Sequence, residues 1–137
     1  FLKYGETINT EKYCTQLDEM HEKLRVQRPR LVNREVLLLH DNPRPHVSRT
    51  TVQKLHCLRY ETLPHPAYSP ELSPTDYHFF KHLDHFVAGK RFINEAAVKN
   101  AFEEFLRSRA PNFYATDINA LVPRWEKCIA ANGAYFD

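Results

Sequence analysis

Between positions 10 and 28 the apolar residues Tyr13, Leu17, Met20 and Leu24 recur at steps of four, three and four, one stripe on a helix. The spacing predicts a helix over Thr10–Arg28. Asn9 or Thr10 can cap its start, Lys23, Arg25 and Arg28 suit the negative end of its dipole, and Pro29 ends it. Val36-Leu37-Leu38-Leu39-His40 is apolar without alternation. That continuity predicts a strand buried on both faces, as in the middle of an α/β sheet. A second helix is predicted over Val47–Leu58, with Val52, Leu55 and Leu58 facing inward, and a short strand over Arg59–Leu63. Pro64–Pro74 holds four of the nine prolines and reads as an extended loop. Helices follow over Thr75–Val87 and Glu95–Arg107, the latter with Val98, Phe102, Phe105 and Leu106 on one side. Ile118, Leu121, Val122, Trp125, Cys128 and Ile129 form a last apolar stripe, and Asn132-Gly133 is a helix stop. Strands alternating with helices, then helices alone, give an α/β class with a small, mainly parallel sheet.

Composition changes this picture little. The 137 residues are one domain's worth of chain, 42% apolar and 26% charged, which is ordinary globular usage. The formal net charge of +2 permits a nucleic-acid partner without demanding one. No apolar run is long enough for a membrane span, and no charged-then-apolar leader opens the chain. Cys14, Cys57 and Cys128 are far apart and odd in number, which predicts reduced thiols rather than a disulfide framework. Three glycines against nine prolines mean that the chain turns mainly with proline, Asn and Asp.

Two aspartates stand out by position. Asp41 directly follows the strand 36–40, and chemistry in open α/β sheets gathers at the carboxyl ends of strands. Asp76 opens the helix after the proline-rich loop, with 34 residues between the two. Carboxylates from a strand end and a helix start can hold Mg²⁺ or Mn²⁺. Two such ions about 4 Å apart can activate a water or 3′-hydroxyl and stabilise the leaving oxygen of a phosphodiester. Plain structural roles fit equally well. Ser73-Pro74-Thr75-Asp76 can be an N-cap, N1 and N3 arrangement, and Asp41 before Asn42-Pro43 can be a turn aspartate. Spacing alone leaves both readings open.

The segments His40-Asp41-Asn42-Pro43-Arg44-Pro45-His46 and Tyr68-Ser69-Pro70-Glu71-Leu72-Ser73-Pro74-Thr75-Asp76-Tyr77-His78 resemble the catalytic domain of mariner transposases. That family's pattern is H-D-N-A-R-P-H, then Y-S-P-D-L-x-P-x-D-Y-H, with the same interval between aspartates. Gly5-Glu6-Thr7-Ile8, Gly89-Lys90-Arg91-Phe92, Arg124-Trp125-Glu126-Lys127-Cys128 and Asn132-Gly133-Ala134-Tyr135-Phe136-Asp137 match as well, so the resemblance spans the chain. Within the family it resembles the transposase-derived half of a fusion with a SET histone methyltransferase, although nothing in these residues supports methyl transfer. The resemblance implies a ribonuclease-H-like integrase fold and metal-dependent DNA cleavage and strand transfer. It implies Asp41 and Asp76 as catalytic metal ligands, the second and third members of a three-aspartate site served by Mg²⁺ or Mn²⁺. Asn42 and His46 would shape that site and Arg44 would contact phosphate. DNA is the implied partner, with a homodimer, a nuclear location, no membrane and no small-molecule substrate.

This sequence departs from the family pattern in several places. The W-D-x-x-G segment that carries the first aspartate is not among these residues, and the acids before Asp41 (Glu6, Glu11, Asp18, Glu19, Glu22, Glu35) lie in no apolar strand. The expectation is a chain that starts inside the family's second strand and lacks the first central one, with exposed sheet edges prone to aggregation and impaired catalysis. The alternative is a non-catalytic DNA- or protein-binding remnant. Pro43 forces Asn42 toward extended geometry and removes a backbone donor. Pro123 must begin a helix or kink one. His78, His82 and His85 share one helix face and are read as a mixed face rather than zinc ligands. Arg44, Arg49, Lys81, Lys90 and Arg91 can line DNA phosphates or form a solvated basic surface. Aromatic packing in the core is expected of Phe80 and Trp125.

Overall fold

The computed structural model describes residues 1–136. The chain divides into two compact units, Phe1–Ala67 and Tyr68–Asp137.

The first unit opens with α1 (Thr10–Gln27). Its N-cap is Asn9, whose side chain accepts from the Lys12 N–H at 2.8 Å. Pro29 ends α1 and at once starts the single turn α2 (Pro29–Val32) from its first position, where a missing N–H costs nothing. β1 (Val36–Leu38) follows, then the short α3 (Arg44–Val47), α4 (Arg49–Cys57) and β2 (Tyr60–Thr62). The helix expected over Val47–Leu58 is α4, which starts two residues later at Arg49, and the separate turn α3 precedes it. The Ser48 hydroxyl caps α4 by accepting from the Thr51 N–H.

The two strands pair in parallel, Val36 to Tyr60, Leu37 to Glu61 and Leu38 to Thr62, and the Leu63 N–H extends the ladder to the Leu38 carbonyl at 2.9 Å. Burial on both faces is not what the strand shows. Val36 and Leu38 pack against a core of Leu17, Leu55 and Tyr60, whereas Leu37 is 59% exposed. A pleat sends neighbours to opposite faces, and only one face of this sheet is covered. Burying a leucine of that core is worth about 1.5–3 kcal/mol. Val52, expected inside α4, is exposed. The fully buried residue of that helix is Thr51, whose hydroxyl donates to the Pro45 carbonyl and meets Ser48 Oγ at 3.0 Å and Cys14 Sγ at 3.7 Å. Arg59 joins α4 to β2 in the left-handed region, φ 60°.

The second unit is helical. A 3₁₀ turn (Pro70–Leu72) leads to a π-helical segment (Thr75–Phe80) that runs on as α5 (Lys81–Val87). These are followed by α6 (Glu95–Ser108), α7 (Asn112–Asn119) and α8 (Leu121–Ala130). Asn94 caps α6 through the Ala97 N–H at 2.8 Å. Phe105, with 0% exposure, sits at the centre of an edge-on aromatic cluster. Its ring centroid lies 5.5 Å from both Phe79 and Phe86 and 6.1 Å from Phe113, distances at which offset and T-shaped pairs are favoured. Phe79 rather than Phe80 joins this cluster, and Phe80 is 48% exposed. Trp125 is only half-buried. The last apolar stripe breaks into α7 and α8, which leaves Leu121 buried and Ile118, Val122 and Ile129 exposed. Pro123 is the third residue of α8, inside the first turn, where no intrahelical donor is lost. Asn132 and Gly133 both take positive φ, and the Gly133 N–H bonds the Cys128 carbonyl at 2.9 Å, closing α8 as a left-handed cap does.

Candidate functional site

In the first unit the site grows from the segment between β1 and α3. Asp41 lies three residues past the strand and is exposed. Its Oδ1 is 2.8 Å from His46 Nδ1, an ion-pair distance without the alignment of a hydrogen bond. The Asn42 amide donates to the His65 carbonyl at 2.8 Å, which ties this segment to the chain beyond β2. His46, on α3, stacks on the Tyr13 ring at 4.1 Å and on the His40 ring at 5.1 Å. The Tyr13 hydroxyl and His40 Nδ1 are 2.7 Å apart. A cavity of about 410 Å³ is lined by His40, Asn42, His46, His56 and His65 among others. The structure thus brings Asp41 and His46 together, and it adds Tyr13, which the sequence places only in a helix stripe, and His40, which the motif includes without a role.

This packing has electrostatic consequences. Burial pushes the Tyr13 hydroxyl up to about 12, with the nearby negative charge of Asp41 and then Cys14 acting in the same direction. Burial also holds His40 below the usual histidine range. His46 and His65 add to that effect, and Asp41 opposes it.

In the second unit Asp76 sits on the π-helical segment, exposed, and its own N–H bonds the Ser73 carbonyl at 2.9 Å. The capping role weighed for Ser73 is not made. Pro74 already has helical φ and ψ, no side chain caps the segment, and Ser73 Oγ instead meets Thr75 Oγ1 at 3.1 Å. Asp76, Lys81, Asp84, His85, Glu71 and Arg124 line a cavity of about 910 Å³. Arg124 stacks its guanidinium 3.9 Å over the Tyr77 ring and donates to the Glu71 carbonyl at 3.1 Å. The Tyr77 hydroxyl donates to the Asp117 carbonyl at 2.7 Å. Asp117 is buried. Its carboxyl is pushed up by burial and partly drawn back by His78. His78 packs against the rings of Phe113 at 4.3 Å and His82 at 4.7 Å.

The basic candidates are dispersed. Arg44 and Arg49 are the exposed first residues of α3 and α4. Lys81 opens α5, Lys90 places its ammonium 3.5 Å over the Phe86 ring, and Arg91 is exposed. Among the described residues no group of three or more His, Cys, Asp or Glu side chains gathers in metal-binding geometry, and no helix is long and apolar enough to cross a membrane.

The family model described as transposase (partial DDE domain) matches residues 1–34. Over 138 aligned residues the chain is 56% identical to the histone-lysine N-methyltransferase SETMAR of Homo sapiens, with all of this chain and 20% of that protein covered. It is 41% identical to the mariner Mos1 transposase of Drosophila mauritiana over 99% of this chain and 40% of that one. The Mos1 catalytic domain solved with raltegravir and Mg superposes with a TM-score of 0.92 at 40% identity, over 97% of this chain and 67% of the other. The Mos1 paired-end complex with Mn gives 0.92 at 40% identity, over 97% and 39%. Together these define a transposase catalytic domain of α/β, ribonuclease-H-like fold. The chain belongs to the mariner transposase family, and it is similar to the part of SETMAR that it matches. It spans about a fifth of SETMAR and two fifths of Mos1.

Proposed function

We propose that these residues are part of a metal-dependent DNA cleavage and strand-transfer domain, acting in the nucleus on DNA and as a homodimer. The observation that carries this reading is the pair of matched motifs that hold Asp41 and Asp76 on exposed backbone, each with its carboxylate open to solvent. Their oxygens are the hard donors that Mg²⁺ or Mn²⁺ prefers, so the residues fit the metals named in the Mos1 structures. Asp41 and Asp76 each offer a carboxylate ligand to such a cation. When bound, that cation supplies activation of a hydroxyl and stabilisation of the leaving oxygen of a phosphodiester.

The chain's own residues do the rest. His46, locked between Tyr13 and His40, faces the Asp41 carboxylate and fixes its direction. Asn42, tied to the His65 carbonyl, holds the segment that carries Asp41. Arg44, Arg49, Lys81, Lys90 and Arg91 contact phosphates without reading bases. The 137 residues form one partial catalytic domain. As an isolated polypeptide they present two of the family's three aspartates, and a two-metal clamp needs more ligand charge. They therefore cleave slowly, and the same fact favours a second reading as a DNA- or protein-binding module without catalysis.

Mn²⁺ titration by electron paramagnetic resonance on the 137-residue chain tests these two ligands. Asp41→Ala and Asp76→Ala should each weaken binding, and a variant that binds as tightly as the wild type removes that residue from the ligand set. Supercoiled plasmid with Mn²⁺ should show little nicking. Robust nicking that disappears in Asp41→Ala would overturn the impairment and leave the metal assignment standing.

A further inference from the structure

Four arginines fall within the ten positions from Arg25 to Arg34. Arg25 is committed to Glu22, Nη2 to Oε2 at 2.8 Å. Arg28, Arg30 and Arg34 are exposed and make no side-chain ion pair or hydrogen bond among the described residues. They line one open groove of about 610 Å³ with Gln27, Pro29 and Leu31, and no carboxylate borders it. Arg34 also borders a neighbouring groove of about 560 Å³, where Glu35 and Glu61 balance Arg34 and Arg59. Of these two grooves, the first is the one whose charged lining is arginine alone.

The backbone beneath it is stiff. Pro29 fixes φ at the corner between α1 and α2. The Asn33 N–H bonds the Pro29 carbonyl at 3.2 Å, and the Arg34 N–H bonds the Leu31 carbonyl at 3.3 Å. Three guanidiniums are carried on this corner. Each is a planar fork suited to phosphate oxygens. A ligand that satisfies three neighbouring forks must repeat its charge along an extended backbone.

We propose that the Arg28–Arg30–Arg34 groove is a phosphate-backbone contact for duplex DNA, made by cations other than those of the Asp41 and Asp76 segments. The proposal rests on the DNA-binding reading above. The surface positions the duplex and reads no bases, because it offers charge and no recognition helix.

The test is a salt titration by fluorescence anisotropy on two unrelated duplexes of equal length, using the full 137-residue chain. Arg28→Ala with Arg30→Ala and Arg34→Ala should flatten the log–log salt slope by about 2.7 units, about 0.9 for each phosphate left without its arginine, equally on both duplexes. Arg→Lys at the same three positions should keep the wild-type slope within about half a unit, because the interaction is one of charge. An unchanged slope in the alanine variant, with wild-type binding intact, overturns this surface and leaves the DNA-binding reading in place. Wild-type chain that binds neither duplex overturns both. Binding to phosphatidylserine vesicles that the alanine variant loses, with duplex binding unaffected, would make the groove a lipid-binding surface and overturn the proposal.

Discussion

The first 67 residues and the last 70 are built around different interiors. The first unit packs aliphatic side chains and Tyr60 on one face of a two-stranded sheet, then adds a buried hydroxyl, Thr51, and a stack of Tyr13, His40 and His46. It carries eleven lysines and arginines against eight carboxylates. The second unit has no strand among its described residues. Its centre is a set of phenylalanines meeting edge to face, and eight lysines and arginines oppose nine carboxylates. Two of those carboxylates, on Glu71 and Asp117, are buried with an oxygen that has no hydrogen-bond partner. One interior is specified by hydrogen-bond partners and the other by shape, so the two should fail in different ways.

The largest effect is expected at Phe105. Truncation to alanine removes the ring on which Phe79, Phe86 and Phe113 converge and should cost about 3–5 kcal/mol. Trp125, the single tryptophan, lies in the same unit and reports the urea transition by fluorescence. A loss below about 1.5 kcal/mol would mean that the aromatic cluster is loosely filled.

A smaller loss is expected in the other interior. Thr51→Val keeps the volume and removes the donor to the Pro45 carbonyl and the partner of Ser48 Oγ. An orphaned buried acceptor costs about 1–3 kcal/mol, measured by the denaturation midpoint followed by circular dichroism. A neutral result would show that shape alone holds the first unit too.

The smallest effect is one of pH. Tyr13 is raised to about 12, so its contribution to stability is complete below the unfolded value near 10 and is lost as pH rises through about 12. His40 is lowered. Its contribution is therefore present above the unfolded value near 6.5 and is lost as pH falls through the folded value. An ultraviolet titration should find Tyr13 among the last tyrosines to ionise, and His40→Gln should flatten the acid side of the stability curve. Normal ionisation of all tyrosines would remove the half-buried Tyr13–His40 pair.

Much of this is readable from periodicity and punctuation. The stripe Tyr13–Leu24, the Asn9 cap, the helix from Glu95, the parallel pairing and the placement of Pro123 at a helix start all follow from local rules. The exposed Leu37 is not readable, because a continuous apolar run does not say how many layers cover it. Nor is the separate turn α3, which the proline-bearing segment before Ser48 hides. The two aspartates are legible only through the family motif, since spacing alone fits caps and turns as well. The Asp41–His46 pair and the Tyr13–His40 hydrogen bond depend on α1 crossing the segment after β1, which no local pattern encodes. Phe80, expected inside, is half exposed, and it is Phe79 that meets Phe105, on a helix wound differently from an α-helix.

That winding has a consequence of its own. A π turn holds one residue more than an α turn and survives in proteins as an accommodated insertion. The direction in which Asp76 projects from the axis of α5 is therefore set by a count of residues rather than by a neighbour. Removing any one residue between Thr75 and Phe80 lets the turn relax to α geometry and swings the residues before it by about 100° around the axis. The backbone would be more regular afterwards, with the carboxylate aimed elsewhere. In this helix regularity and aim oppose each other, and the wide turn is the point at which aim prevails.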